Sequence, residues 1–179
     1  MKKYILLSLF CMLSFPVFSQ KITGKWHCTK EVSKQIKMGY DNLSCSYKFR
    51  KNGTLTIKIE CNETFDHSIN HIDHDYVRRG IIRIKGNYSI QDGKITSVVK
   101  EDGIECYATE YTPPVEENKV NTASVFAGRD WSAAHYQDTY PVILRAKLRD
   151  YRFLWDWDEE PYYVTDKELK IGELLVCKR

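Results

Sequence analysis

The sequence predicts an all-β chain: an antiparallel up-and-down barrel with long loop insertions and one helix outside it. Three observations lead there. Apolar and polar residues alternate with a period of two through much of the chain, as they do on half-buried strands. Short turns containing glycine separate the alternating runs: Lys51-Asn52-Gly53, Gln91-Asp92-Gly93 and Asp102-Gly103. The runs follow one another as hairpins, and a meander of hairpins that closes on itself is a barrel.

Residues 1–19 stand apart from this pattern. Lys2 and Lys3 make a short basic start, Tyr4 to Phe18 is nearly all apolar, and Ser19 provides a small residue before a cut near Gln20. These are the parts of a secretory signal peptide, so residues 20–179 are expected as one secreted or periplasmic domain. A lipid on Cys11 is the rival reading, but Phe10 stands where a small residue is needed. The apolar run is short for a membrane span, and no other stretch approaches about 20 apolar residues. Losing Lys2 and Lys3 takes the formal charge from +3 to +1, since no other charged residue lies in 1–19. A near-neutral surface with acids and bases interspersed does not attract a phosphate backbone, which argues against a nucleic-acid partner.

The first strand reads as Ile22 to Lys30, and Lys34 to Asn42 as a loop or a short turn of helix. Leu43–Arg50 and Thr54–Cys61 then flank a three-residue loop whose Gly53 can take the left-handed position. That loop sets Phe49 opposite Leu55, Tyr47 opposite Ile57 and Cys45 opposite Ile59, one apolar face against a polar one. Asn62–Arg79 reads as a long polar insertion. Ile82, Ile84, Gly86, Tyr88 and Ile90 alternate again, with Gly86 marking a bend. Gln91-Asp92-Gly93 turns the chain into Lys94–Lys100. A second turn at Asp102-Gly103 is expected to set Val99 opposite Cys106 and Ser97 opposite Ala108. Thr112–Asp138, opened by Pro113-Pro114, is a second insertion, and such loops on a rigid scaffold often carry function.

Residues 139–157 fit two patterns. Val142, Leu144, Ala146 and Leu148 alternate as a strand would, while Leu144, Leu148, Tyr151 and Trp155 have helical spacing. With Thr139 as an N-cap and Pro141 in the first turn, length favours a helix outside the barrel ending near Leu154.

Several stretches are similar in order and spacing to small secreted lipocalin-like (calycin) domains of bacteria. They are Gly24-Lys25-Trp26 at the first strand, Phe49 with Asn52-Gly53-Thr54, and the run Gly86 to Thr96. The ending Tyr163-Val164, Glu168 to Ile171 and Val176 to Arg179 belongs with them. The resemblance implies that Arg179 lies across Trp26 and shuts the base of a closed sheet, with Gly24 beside them, leaving no open strand edge. It also implies a non-catalytic protein that binds a small, mostly apolar molecule in its cup. Tyr47, Phe49, Leu55, Ile57, Ile84 and Tyr88 are the lining candidates. Small barrels are also filled by their own side chains. A solid barrel that recognises another envelope or surface protein through its loops is therefore the second reading.

If Trp26 faces Arg179 across antiparallel strands, their numbers sum to 205, and so do 28 and 177. Cys28 then lies opposite Cys177, close enough for a disulfide if the pair is a non-hydrogen-bonded one. The plain alternative is a set of small buried thiols. Five cysteines follow residue 19, so at least one thiol stays unpaired.

Two further clusters can carry chemistry. His67, His71 and His74, set among Asp66, Asp73 and Asp75, share one face if the segment is helical, and imidazole with carboxylate suits zinc or copper. In a solvated loop the same residues are ordinary. Tyr151, Phe153, Trp155, Trp157, Tyr162 and Tyr163 collect beside Asp156, Asp158, Glu159 and Glu160. There Trp155 and Trp157 either hold a ligand at the barrel mouth or serve as rim and core aromatics. No nucleophile elbow, phosphate-cradling loop, dinucleotide fingerprint or Cys-x-x-Cys occurs. Neither an enzyme nor a cofactor is expected.

Overall fold

Most of the alternating runs become strands in the computed structural model, which describes residues 22–36, 42–69, 72–112 and 133–179. The leader 1–19 and residues 113–132 of the second insertion lie outside the described residues. In chain order the elements are β1 (Gly24–Cys28), α1 (Lys30–Gln35), β2 (Asn42–Phe49), β3 (Thr54–Ile69) and β4 (Ile72–Gln91). Next come β5 (Lys94–Val98), β6 (Ile104–Thr112), α2 (Ala133–Leu148), β7 (Glu160–Val164), β8 (Glu168–Ile171) and β9 (Leu175–Lys178). Each pairing is antiparallel. The ring runs β1-β2-β3-β4-β5-β7-β8-β9 and returns to β1, a closed barrel of eight strands.

The hairpins form as their turns dictate. Gly53 sits at φ 78°, and Phe49, Tyr47 and Cys45 pair with Leu55, Ile57 and Ile59. Asp92 and Gly93 both have positive φ, at 51° and 76°, the two-residue geometry that twists with its flanking strands.

The first strand is shorter than expected. It stops at Cys28, because Thr29 caps α1 and accepts a hydrogen bond from Val32 N at 3.5 Å. This short helix lays Val32 and Ile36 into the core.

Two expectations fail, each through pairing that local sequence does not reveal. Asn62–Arg79 is largely no loop. The β3–β4 ladder continues without a slip from Thr54↔Asn87 to Ile69↔Ile72, because a hairpin register, once set, carries polar residues as readily as apolar ones. Asp102-Gly103 is not a hairpin turn either. β5 and β6 do not pair with each other; both pair with the same edge of β4, as Asn87↔Val98 and Ile84↔Ile104. They form one strand interrupted at residues 99–103, which bulge outward through a 3-10 turn at Glu101–Gly103. A Cβ on Gly103 would lie 2.3 Å from the Lys85 carbonyl oxygen, and one on Gly86 would lie 2.5 Å from that of Val98. Both glycines let backbones approach where β4 changes partner.

α2 begins at least six residues before Thr139, so Thr139 is not its cap and Pro141 lies inside it. Tyr136, Tyr140, Leu144 and Leu148 form its buried face. The Tyr136 hydroxyl donates to Arg79 O at 2.8 Å, and a Cβ on Gly80 would meet Leu144 at 2.6 Å and Tyr140 at 2.8 Å. The helix therefore packs outside the barrel against β4 and β6. A second 3-10 segment, Arg149–Leu154, extends it to the residue where the sequence ends it. Among the described residues no helix is long and apolar enough to cross a membrane.

The base closes as the resemblance implies. His27 pairs with Lys178 and Cys28 with Cys177. The Arg179 guanidinium lies 4.4 Å from the Trp26 ring centre, and its Nη2 donates to Thr23 O at 3.0 Å. Trp26 is fully buried and donates from Nε1 to Ile22 O at 2.7 Å. Gly24 sits at φ +135°, a backbone that side-chain-bearing residues rarely adopt, directly under that guanidinium. Trp26→Ala should lower stability by about 3–5 kcal/mol through the void it leaves. Arg179→Ala should cost about 0.5–1 kcal/mol, the range of an exposed cation over an aromatic ring. Denaturant midpoints check both, and an unchanged midpoint for Trp26→Ala rejects the seal.

Candidate functional site

The centre of the barrel is occupied by its own side chains. Leu55, Ile57 and Ile84 are 0 % exposed, Tyr47 and Phe49 1 %, and Trp157 3 %. These residues face one another. The Trp157 ring lies 5.9 Å from that of Tyr47 and 6.2 Å from that of Phe49. Five of the six expected lining residues therefore touch neighbours rather than open space. Tyr88, the sixth, is half-buried at the rim, edge-on to Phe49 at 5.0 Å, with its hydroxyl donating to Arg50 O at 2.9 Å.

The plug enters on a strap, residues 153–157, which leads into β7 and bonds to Ser97 of β5. Leu154 O accepts from the Tyr47 hydroxyl at 3.0 Å. The hydroxyl of Ser97 donates to Trp155 O and accepts from Trp157 N, and Ser97 N donates to Trp157 O at 2.9 Å. Trp157 also donates its indole N–H to Phe153 O at 2.8 Å. One buried serine thus fixes the carbonyl of one tryptophan and the amide of the next.

Clefts open on either side of this strap. The larger, about 520 Å³, lies between the β5–β6 bulge and the end of α2. Val99, Glu101 and Ile104 form one wall; Arg145, Leu148, Arg149 and Arg152 form the other, with Trp155 and Asp156 between them. Arg145 ties the walls together, donating to the Glu101 carboxylate at 2.8 and 3.2 Å and to its carbonyl at 2.8 Å. Arg152 approaches Asp156 at 3.7 Å. Arg149 is exposed and makes no ion pair among the described residues. Three arginines against two carboxylates leave this cleft a formal +1. The smaller cleft, about 300 Å³, is lined by Phe153, Trp157, Ile171, Leu174 and Leu175 with Asp156, Glu160 and Glu173. It is apolar and acidic, and Leu174 is 50 % exposed.

Of the residues singled out from the sequence, Trp155 and Asp156 line the larger cleft, and Phe153, Asp156, Trp157 and Glu160 line the smaller. The arginines were missed, although 145, 149 and 152 stand at helical spacing on the expected helix. Glu101 was missed because the bulge that carries it had been read as a turn.

The histidines are placed by backbone alone. His67 and His74 are opposite one another on β3 and β4, on strands rather than the helix that would have gathered three rings, and His71 lies outside the described residues. Among the described residues no group of three or more potential ligands is arranged for a metal ion. A buried ion pair, Glu63 with Arg78 at 3.0 Å, lies under α2, with the Arg78 guanidinium 5.5 Å from the Tyr140 ring centre. It reads as an anchor for the helix. The cysteines after residue 19 are all free, including Cys28 and Cys177, so the expected disulfide is not formed although its register is.

A closed antiparallel barrel of eight strands, sealed at its base by an arginine over a tryptophan, is consistent with a lipocalin-like fold. Comparisons with protein-family models, with curated proteins and with solved structures find no match.

Ser97→Ala should cost about 1–3 kcal/mol, since it leaves a buried carbonyl and amide without their partner. Arg149→Ala should stay within about 0.5 kcal/mol of wild type, as an exposed side chain without a partner. Urea midpoints of the two variants check the contrast between strap and cleft surface.

Proposed function

We propose that this protein is a secreted, non-catalytic binding module in which the barrel is a solid scaffold and recognition takes place at the paired clefts beside the strap. The observation that carries this reading is the packed centre. Side chains exposed by 3 % or less fill the space a cup-held ligand would need, whereas about 520 Å³ stands open outside it.

The clefts favour another envelope or surface protein over a single small apolar molecule. One is lined by arginines and the other by carboxylates and apolar groups, with exposed Leu174 at the edge. A peptide segment bearing an apolar side chain between an acidic and a basic one complements both. Hot spots of such contacts are enriched in tryptophan and arginine, and the strap and α2 supply these.

A photo-crosslinking residue at position 149 or 174 should capture a partner from the native source, while one at Lys48 on the outer wall of β2 should not. Equal capture from Lys48 overturns the assignment of the surface. Native mass spectrometry of protein from the same source should give the mass of the polypeptide without a small molecule. A retained apolar ligand returns function to the barrel interior.

A further inference from the structure

Three thiols meet where the barrel closes. Cys28 Sγ lies 3.7 Å from Cys177 Sγ across the β1–β9 seam. On the other side of β1, the register that pairs Trp26 with Tyr47 and His27 with Ser46 brings Cys45 opposite Cys28. Cys28 is thus the middle of a row running from β2 through β1 to β9.

The ladder fixes what each neighbour can do. Thr29 N donates to Val176 O at 3.0 Å, so 29/176 is a hydrogen-bonded pair and 28/177 is the non-hydrogen-bonded pair beside it. Such pairs have Cα atoms about 4.5 Å apart, within the span a disulfide accepts. The Cys28 peptide groups then face β2, which makes Cys45 the wider neighbour at about 5.5 Å, also within that span. Access differs as well. Cys28 is partly exposed, Cys45 is 3 % and Cys177 0 % exposed, so a soluble oxidant meets Cys28 first.

We propose that the seam is a disulfide site with Cys28 as the shared partner, bonded to Cys177 in the oxidised protein and able to pass to Cys45. The oxidant is a small-molecule disulfide. Cys28 thiolate attacks one of its sulfurs, forming a mixed disulfide and releasing one small thiolate. Cys177 thiolate then attacks Cys28 Sγ and expels the second. Two protein thiols lose two electrons and two protons, and the small disulfide becomes two thiols. In the exchange, Cys45 thiolate attacks Cys28 Sγ, the bond to Cys177 breaks, and Cys177 takes up the proton that Cys45 gave up. The hydrogen bond with Cys177 holds the Cys28 thiol well above its ordinary pKa, and burial does the same for Cys45. Thiolate is therefore scarce at neutral pH, and exchange quickens as pH rises.

The test is oxidation of the reduced, folded protein with oxidised glutathione, followed by peptide mapping. Wild type should lose two thiols per chain to a Cys28–Cys177 bridge. Its unfolding midpoint should rise by roughly 10 °C, because the closed loop spans most of the domain. Cys177→Ala should instead give a Cys28–Cys45 bridge, and Cys28→Ala should give none between Cys45 and Cys177. If Cys177→Ala fails to fold, wild type held at pH 9 should show a minor Cys28–Cys45 bridge beside the main one. Glutathione left on Cys28, a bridge to any other cysteine, or no thiol lost overturns the site. A Cys28–Cys177 bridge with no Cys28–Cys45 bridge under either condition overturns the exchange.

Discussion

A sheet of eight strands keeps two exposed edges until its first and last members pair. Here β9 meets β1 through His27↔Lys178 and Cys28↔Cys177, sealed by the Arg179 guanidinium over the Trp26 ring. The seam is short, so its side chains carry much of the closure: a buried indole whose N–H is satisfied, a cation held by Thr23 O, and a row of small thiols. Without it, β1 and β9 would each present unpaired peptide groups, and the inner face would have no wall on that side.

Closure also decides what the interior can be. A barrel of this strand number encloses only enough space for side chains or one small ligand. Tyr47, Phe49 and Trp157 take that space with stacked rings, and the Tyr47 hydroxyl is spent on the strap carbonyl of Leu154. Aromatic stacking of this kind adds about 0.5–1.5 kcal/mol per pair beyond burial, so emptying the cup would forfeit several contacts at once. The open space lies instead beside the strap, in the clefts on its flanks.

Much of this was legible in the residues. The hairpins could be read because a period of two and a left-handed glycine both act locally: Phe49 to Cys45 paired as their turn required. The seam was legible through the resemblance of Gly24, Trp26 and Arg179 to a known base, and the register that follows from it placed Cys28 opposite Cys177. What failed was non-local. Asp102-Gly103 carries a hairpin signature, and only the shared edge of β4 shows that β5 and β6 run on as one strand. The 62–79 stretch reads as a loop because it is polar, yet residues 62–69 pair with 72–79. The larger cleft was hidden for the same reason, since it exists only where that bulge meets the end of α2.

The β1–β9 seam joins residues about 150 positions apart, whereas the β3–β4 ladder starts from residues close in sequence, Ile69↔Ile72. Loop-closure entropy and contact order therefore set a sequence of events. The long hairpin zips early, and the ring shuts only after β9 has been synthesised and has found β1. Until then β1 and β9 each keep an unpaired edge, the feature that exposes a folding chain to wrong pairing.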